Sequence, residues 1–135
     1  MAATLLKKLM DRLVERISRK DMRGAFYDIL EALDGCYVLL EVSGDDGGTW
    51  LYKVVEASRL AECALEEREG QAFRERHFYI GMPDYILYDI LLKEMTPGEA
   101  AAYAQWGGTA SSHPSWVYLK SQRFFDLLQT AVDLG

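Results

Sequence analysis

The sequence predicts an α+β domain with a mostly antiparallel sheet covered by helices. Two β-rich runs, 36–42 and 49–56, flank the turn SGDDGG, which predicts a hairpin. Segments with helical spacing precede and follow the strands instead of alternating with them one by one. The 135 residues are half apolar, enough for one core. We therefore expect a single domain, 1–135, with N-terminal amphipathic helices in 1–33 and the sheet, its covering helices and a C-terminal helix in 34–135.

The N-terminal segment has the spacing of an amphipathic helix, for which Thr4 is the expected N-cap. Its apolar side chains are Leu5, Leu6, Leu9, Met10, Leu13, Val14 and Ile17. The candidate membrane or partner surface on its opposite side consists of Lys7, Lys8, Arg12 and Arg16. Residues 1–23 hold seven basic and three acidic side chains in a chain of net charge −6. This pattern fits either a docked helix with a solvated basic face or a segment that meets anionic lipid or an acidic partner.

A second helix and a β-hairpin are predicted next. The helix runs from Arg23 to Leu33 and ends at Asp34-Gly35, because glycine suits the left-handed residue after a helix. The hairpin strands are CYVLLEV, 36–42, and TWLYKVVE, 49–56. Strand alternation puts Trp50, Tyr52 and Val54 on one face of the return strand and Leu51, Lys53 and Val55 on the other. Trp50 is expected to close one end of the core.

The C-terminal half predicts two strands and three helices. HFYIGMP, 77–83, is a strand, and Asp84 is the expected N-cap of a helix over 85–95. Thr96, Pro97 and Glu99 form a capping box that starts a helix ending at Gly107-Gly108. WVYLKS, 116–121, reads as the last strand, and QRFFDLLQTAVDL, 122–134, as the last helix. The stretch 57–76 fits either a charged helix or an exposed strand.

No catalytic or metal-binding pattern stands out. His77 and His113 are the only histidines and lie far apart, and Ser111 and Ser112 do not belong to a G-x-S-x-G turn. No glycine-rich phosphate loop occurs. We therefore expect a protein that is not an enzyme and uses no cofactor or metal.

Composition also bears on location and partners. Cys36 and Cys63 are too few and too far apart for a disulfide framework, which favours a reduced, intracellular chain. No apolar stretch is long enough for a signal sequence or a membrane span, so we expect a cytoplasmic protein. The acidic net charge argues against nucleic acid as a partner.

Large apolar side chains are concentrated toward the C-terminus. With Trp50, the candidate cavity residues are Phe78, Ile80, Tyr85, Tyr88, Leu91, Leu92, Met95, Tyr103, Trp106, Trp116, Phe124, Phe125 and Leu128. The helix 85–95 is apolar nearly all round. Such a helix is either enclosed in an ordinary core or forms the wall of an apolar cavity or partner groove.

The order of these pieces resembles the sterol carrier protein type 2 family over about Leu33 to Leu128. The resemblance is carried by LLEVSGDDGGTWLYKVVE, HFYIGMPDYILYDILLKEMTPGEAAAYAQ and WVYLKSQRFFDLL. In that family an apolar strand leads through a glycine-rich turn to a tryptophan, as here to Trp50. A later strand is followed by a helix that begins near an acidic or serine cap, as at Asp84, and a short helix with a proline near its start comes next, as at Pro97. The resemblance also favours a strand over 60–69. The chain departs from the family at 106–115, where a longer loop replaces a short hairpin.

The resemblance implies a five-stranded sheet with helices on one face and an apolar tunnel that takes a lipid, a fatty acyl chain or an isoprenoid. It implies no catalytic residues, and a role as carrier or accessory factor. The expected partners are thus a lipid or other apolar small molecule, a membrane surface met by the N-terminal basic helix, and a protein partner. The alternative from the residues alone is an acidic protein-interaction module, such as a secretion-chaperone-like or inhibitor protein.

Overall fold

The secondary structure is taken from a computed structural model, which describes residues 4–108 and 114–134 but not the side chain of Arg23. The helices in these ranges are α1 (Leu5–Ile17), α2 (Arg23–Ala32), α3 (Gln71–Glu75), α4 (Asp84–Leu91), α5 (Pro97–Tyr103) and α6 (Pro114–Asp133). The strands are β1 (Tyr37–Ser43), β2 (Gly48–Val55), β3 (Arg59–Cys63), β4 (His77–Pro83) and β5 (Gln105–Gly108). Short 3₁₀ turns occur at Lys20–Met22 and Leu65–Glu69.

The strands form one five-stranded sheet in the order β3-β2-β1-β4-β5. Three neighbouring pairs are antiparallel, and the central pair, β1 with β4, is parallel. The parallel pair requires a long crossover, which β2, β3 and α3 provide. The predicted α+β fold with a mostly antiparallel five-stranded sheet is confirmed.

The two faces of the sheet are set by strand alternation. Val38, Leu40 and Val42 of β1 share the main buried cluster with helical side chains such as Leu6 and Phe124. We call this the inner face; it includes the alternate residues of β2, which confirms the predicted side of Trp50. The opposite, outer face carries the remaining residues of the strands.

The hairpin turn is tied to two helices. The backbone N–H of Asp46 donates to the Asp84 carboxylate at 3.1 Å, and the Tyr88 hydroxyl donates to the Asp46 carboxylate at 2.6 Å. Thr4, the confirmed N-cap of α1, donates its hydroxyl to the Asp46 carbonyl at 3.3 Å. The prediction that Asp84 is the N-cap of α4 is wrong by one position: the cap is Pro83, and Asp84 is the first helical residue. Its carboxylate instead holds the turn, near the positive end of the helix dipole.

The predicted last strand is wrong, because residues 116–121 lie within α6. Trp116, Val117 and Tyr118 are good strand formers, which explains the error. The buried side chains Val117, Ser121 and Phe124 nevertheless recur with helical spacing, and Pro114 stands at the helix start. Packing along the whole helix therefore outweighs the local preference.

The fifth strand lies where the sequence predicted the end of a helix. The capping box of Thr96 and Glu99 is present, but α5 ends at Tyr103, and residues 105–108 pair with β4. A Cβ at Gly107 would lie 2.2 Å from the Tyr79 ring, so this glycine gives room to a neighbouring side chain instead of ending a helix. α4 also ends earlier than predicted, before Lys93, whose φ is +62°.

The ambiguous stretch 57–76 combines three structures. β3 ends at Cys63, so the strand predicted over 60–69 is right only in its first part. The remainder forms a 3₁₀ turn and α3, which fold back over the outer face. Phe73 of α3 packs there with Tyr37, Leu39 and Leu51. We call these four residues the outer cluster; it covers one half of the outer face.

Candidate functional site

The predicted cavity residues fall into three groups by exposure. The buried members belong to the main cluster between the inner face and the helices: Trp50, Phe78, Ile80, Leu91, Phe124, Phe125 and Leu128. The partly buried members pack against that cluster: Tyr88, Met95, Trp106 and Trp116. Tyr85, Leu92 and Tyr103 are 63%, 69% and 70% exposed. The structure thus brings eleven of the fourteen together and leaves three at the surface.

Aromatic rings lie close together in this interior. The Tyr52 ring centroid lies 6.4 Å from that of Phe124, which lies 6.4 Å from that of Phe125. Phe78 meets Trp116 edge-on at 6.3 Å. These contacts place β2, β4 and α6 against one another, so the interior is held by ring contacts from both layers.

Two hydroxyl groups are buried in this apolar interior without a hydrogen-bond partner. Tyr52 and Ser121 are both fully buried, and within residues 4–108 and 114–134 neither side-chain oxygen has a partner. Burial raises the pKa of Tyr52 well above its ordinary value, with the charges of Glu62 and Asp11 adding to the effect. A buried hydroxyl that is left unpaired lowers stability, so each is a site that a polar group could satisfy.

The helices α4 and α6 are joined by a buried amide. The Gln129 side-chain N–H groups donate to the Ile90 carbonyl at 3.0 Å and to the Met95 carbonyl at 2.6 Å. Lys93 and Asp133 form an ion pair at 2.9 Å at the same end. Gln129 thereby links α6 to the Ile90 carbonyl in the last turn of α4, which also accepts from the Lys93 N–H, and to the Met95 carbonyl beyond that helix.

The uncovered half of the outer face forms a groove of about 690 Å³. Its polar and aromatic lining residues are Glu41, Ser43, Thr49, Tyr79, Tyr103 and Gln105. We call it the outer groove. Tyr103 is the one predicted cavity residue that borders it. A second pocket of about 520 Å³ lies between the start of α5 and α6, beside Leu119 and Arg123.

The outer groove was not among the sites that the sequence pattern predicts. Glu41 and Tyr79 occupy outward positions of strands that are otherwise rich in apolar residues, and Gly81 interrupts β4. A polar residue and a glycine at outward strand positions are a signal for open sheet surface. Their proximity depends on the pairing of β1 with β4, which the sequence does not display.

The basic side chains of α1 differ in their contacts. Lys7 donates to Asp11 at 2.7 Å and also contacts Glu62, and its ammonium lies 5.9 Å from the Trp50 ring centroid. Arg16 donates to the Ala131 carbonyl. Lys8 and Arg12 are exposed. Two of the four basic residues are therefore tied to other parts of the chain, and two point to solvent.

Groups with catalytic potential are sparse in the described part of the chain. Burial, together with a hydrogen bond to Glu67, raises the pKa of the Cys63 thiol to about 11, so it stays protonated and weakly nucleophilic at neutral pH. Cys36 and Cys63 are free. His77 stacks on Phe73, and His113, with Ser111 and Ser112, lies outside the described residues.

Across 4–108 and 114–134, no three His, Cys, Asp or Glu side chains lie together as metal ligands would. None of the helices described there combines the length and apolar character needed to span a bilayer.

Comparison with known proteins identifies the fold. The structure of sterol carrier protein 2 from Yarrowia lipolytica, in its apo form, superposes with a TM-score of 0.63 and covers 97% of this chain and 94% of its own. The two sequences are 7% identical over that alignment. No model of a known protein family matches this chain, and no curated protein matches it in sequence. The chain therefore has the sterol carrier protein 2 fold, as the resemblance predicted.

Proposed function

We propose that this protein binds a lipid, a fatty acyl chain or an isoprenoid, as a carrier or accessory factor and without catalysing a reaction. The ligand lies between the inner face and α4, α5 and α6. The observation that carries the proposal is the fold, shared over 97% of the chain with a protein named as a sterol carrier. The apolar lining of the interior supports it, since hydrocarbon gains about 0.8 kcal/mol per buried methylene.

Binding requires the interior to open, because its side chains already contact one another. Both described pockets lie outside it. In this proposal α4 and α6 move away from the sheet together, since Gln129 and the Lys93–Asp133 pair join them. Ligand methylenes then replace side-chain contacts of similar apolar character, which offsets part of the free energy that opening costs.

The two unpaired hydroxyls provide the polar end of the proposed site. Tyr52 comes from the sheet and Ser121 from α6, so they approach the interior from its two layers. A ligand carboxylate or hydroxyl that accepts from or donates to them would satisfy groups that are unsatisfied without ligand. The buried and partly buried members of the predicted set would line the chain of the ligand. Exposed Tyr85 and Leu92 would contact it at the surface, where it enters, whereas Tyr103 borders the outer groove and would not.

Contact with membranes is part of the proposal. Lys8 and Arg12 are the exposed basic residues of α1, and Lys7 and Arg16 would join them only by leaving their present contacts. Replacing Lys8 and Arg12 with Gln should weaken binding to anionic vesicles without changing the fold. Equal vesicle binding by this variant and the unmutated protein would remove the basic helix from the proposal.

The alternative of an acidic protein-interaction module stays a prediction, as does location in the cytoplasm.

The experiment is titration with a fluorescent fatty acid, followed by displacement with unlabelled oleate. We expect saturable binding of one molecule per chain. Tyr52→Phe should weaken the affinity several-fold to about tenfold, because one hydrogen bond to the ligand is lost. Tyr118→Phe is the matched control: its hydroxyl donates to the Gly98 carbonyl at 3.3 Å instead of facing the interior unpaired. Absence of saturable uptake by the unmutated protein would overturn the proposal, and equal affinities of the two variants would overturn the role of Tyr52.

A further inference from the structure

The outer groove contains a small depression with Gly81 at its bottom, which we call the pit. The register of the sheet places Thr49, Glu41, Gly81 and Gln105 in one row across four strands. Neighbouring strands lie about 4.8 Å apart, so Glu41 and Gln105 flank Gly81 at about that spacing on either side. Along β4, Tyr79 and Pro83 occupy the next outward positions before and after Gly81. Four side chains thus surround a position that has none.

Nothing in the fold requires glycine at this position. A Cβ on Gly81 would lie 3.8 Å from the carbonyl oxygens of Gln105 and Glu41, an ordinary van der Waals distance, and its φ is not in the left-handed region. Gly107, one row away, differs, because a Cβ there would collide with the Tyr79 ring at 2.2 Å. Glycine inside a strand lowers stability and often marks the close approach of another group. The space over Gly81 is therefore open although the backbone does not need a glycine there.

The charge of the groove indicates which group would fill that space. Glu41 is exposed and has no ion-pair or hydrogen-bond partner within the described part of the chain. The described lining residues include no Lys, Arg or His, so this carboxylate is the one charge there. Tyr79 and Tyr103 add aromatic rings, whose faces attract cations, and Thr49 and Gln105 add oxygen acceptors. The net charge of −6 favours the approach of a cation over long range.

We propose that the outer groove binds a small organic ammonium ion, with its charged group over Gly81 and beside Glu41. The carboxylate and the Gln105 side chain accept hydrogen bonds from the ammonium, and the tyrosines hold the apolar part of the ligand. The groove volume of about 690 Å³ lies within the range usual for sites of small molecules. This site is separate from the lipid site proposed above, because it lies on the other face of the sheet.

The test is calorimetric or NMR titration of the full chain with phenethylammonium at neutral pH and low salt. Its neutral counterpart, 2-phenylethanol, has the same ring and linker and serves as the ligand control. We expect saturable binding of the cation that weakens as salt is added, and none of the alcohol. Equal binding of both compounds, or no saturable binding of the cation, would overturn the proposal.

Two variants test the position of the bound charge. Glu41→Gln keeps the size of the side chain and should weaken the cation about tenfold, the loss of one charge-assisted hydrogen bond. Glu31→Gln makes the same charge change at an exposed position of α2 and should leave the affinity unchanged. Unchanged affinity in Glu41→Gln, or an equal loss in Glu31→Gln, would contradict the site.

Filling the pit provides an independent test. Gly81→Val suits an extended strand, so thermal stability should be preserved or raised while binding of phenethylammonium is lost. Uptake of the fluorescent fatty acid should not change in this variant. A folded Gly81→Val protein that still binds the cation with its original affinity would refute the pit as the binding position.

Discussion

The inner and outer faces of the sheet are built from alternate residues of the same strands, yet they differ in what covers them. On the inner face, Phe78 and Ile80 of β4 are fully buried under helices. On the outer face, Tyr79 is 39% exposed and Gly81 borders a groove. The inner face is thus closed by helices, with two unpaired hydroxyls in the interior between them, and the outer face is half open and carries an unpaired carboxylate.

This difference shows how one strand can serve two kinds of site. Successive side chains of a strand point to opposite faces of the sheet. The residue types on one face therefore place little constraint on those of the other. The outer cluster around Phe73 covers only the half of the outer face that carries apolar residues. The polar half is left to solvent, and we place a second ligand there.

The largest expected effect distinguishes the two faces by stability. Phe124→Ala removes a fully buried ring that contacts Tyr52 and Phe125, and should lower the free energy of unfolding by about 3–5 kcal/mol. Tyr79→Ala, on the outer face, should lower it by about 1 kcal/mol or less, because the ring is partly exposed. Urea unfolding of both variants is the measurement. Comparable losses would mean that the faces do not differ in packing as described.

A smaller effect is expected where α6 joins α4. Gln129→Leu removes the donor of the Met95 carbonyl and one donor of the Ile90 carbonyl, which keeps its bond from the Lys93 N–H. The loss should cost about 2 kcal/mol. Gln122→Leu, on a half-buried part of the same helix, is the control and should have little effect. Guanidinium unfolding would measure both. If Gln129→Leu is as stable as the control, the joint between the helices is not maintained by this amide.

Removing the unpaired Tyr52 hydroxyl is expected to raise stability, unlike the two substitutions above. Without ligand, Tyr52→Phe should raise the free energy of unfolding by about 1 kcal/mol, because it removes a buried group that has no partner. Tyr118→Phe should lower it slightly, since that hydroxyl is paired. Thermal unfolding of lipid-free protein tests the pair. A less stable Tyr52→Phe variant would indicate that the hydroxyl is already satisfied.

The smallest expected effect is a pH dependence of stability, which arises where the hairpin turn contacts α4. The hydrogen bond to Asp46, with partial burial and the nearby charges, raises the pKa of Tyr88 from 10.0 to about 12. Because the folded state favours the protonated phenol, its stabilising contribution is present below pH 10 and is lost as the pH rises toward about 12. The unmutated protein should therefore lose its stability advantage over Tyr88→Phe across that range. Urea unfolding at several pH values would show this, and a constant difference would contradict it.

Much of the fold follows from local signals in the sequence. The strand 77–83 was predicted with its observed bounds, because alternating apolar residues end at Gly81 and Pro83. The capping box at Thr96 was also predicted, since it depends on side chains three residues apart. Such features need no knowledge of distant contacts.

The wrong predictions arise where contacts between residues far apart in the sequence determine the secondary structure. Trp116 to Tyr118 favour a strand locally, but the packing of Phe124 and Leu128 against the sheet makes the segment helical. The local pattern at Gly107 predicts a helix end, whereas the Tyr79 ring that requires this glycine lies 28 residues earlier in the chain.

The candidate sites also combine features that local sequence patterns predict with features that depend on distant contacts. The apolar residues of the inner face could be identified from periodicity, although their exposure could not: Tyr85 and Leu92 turned out to face solvent. The outer groove depends on the register that puts Glu41 beside Gly81, and no local pattern reveals it.

NMR titration of isotope-labelled protein with palmitate tests the proposed lipid site most directly. We predict saturable shifts for Ile80, Phe124 and Leu128, together with a change at the Tyr52 ring, and little change at Glu41 or Gln105. Shifts confined to the outer groove, or no saturable shift at all, would contradict the claim that the inner face of this sheet is where the protein holds an apolar ligand.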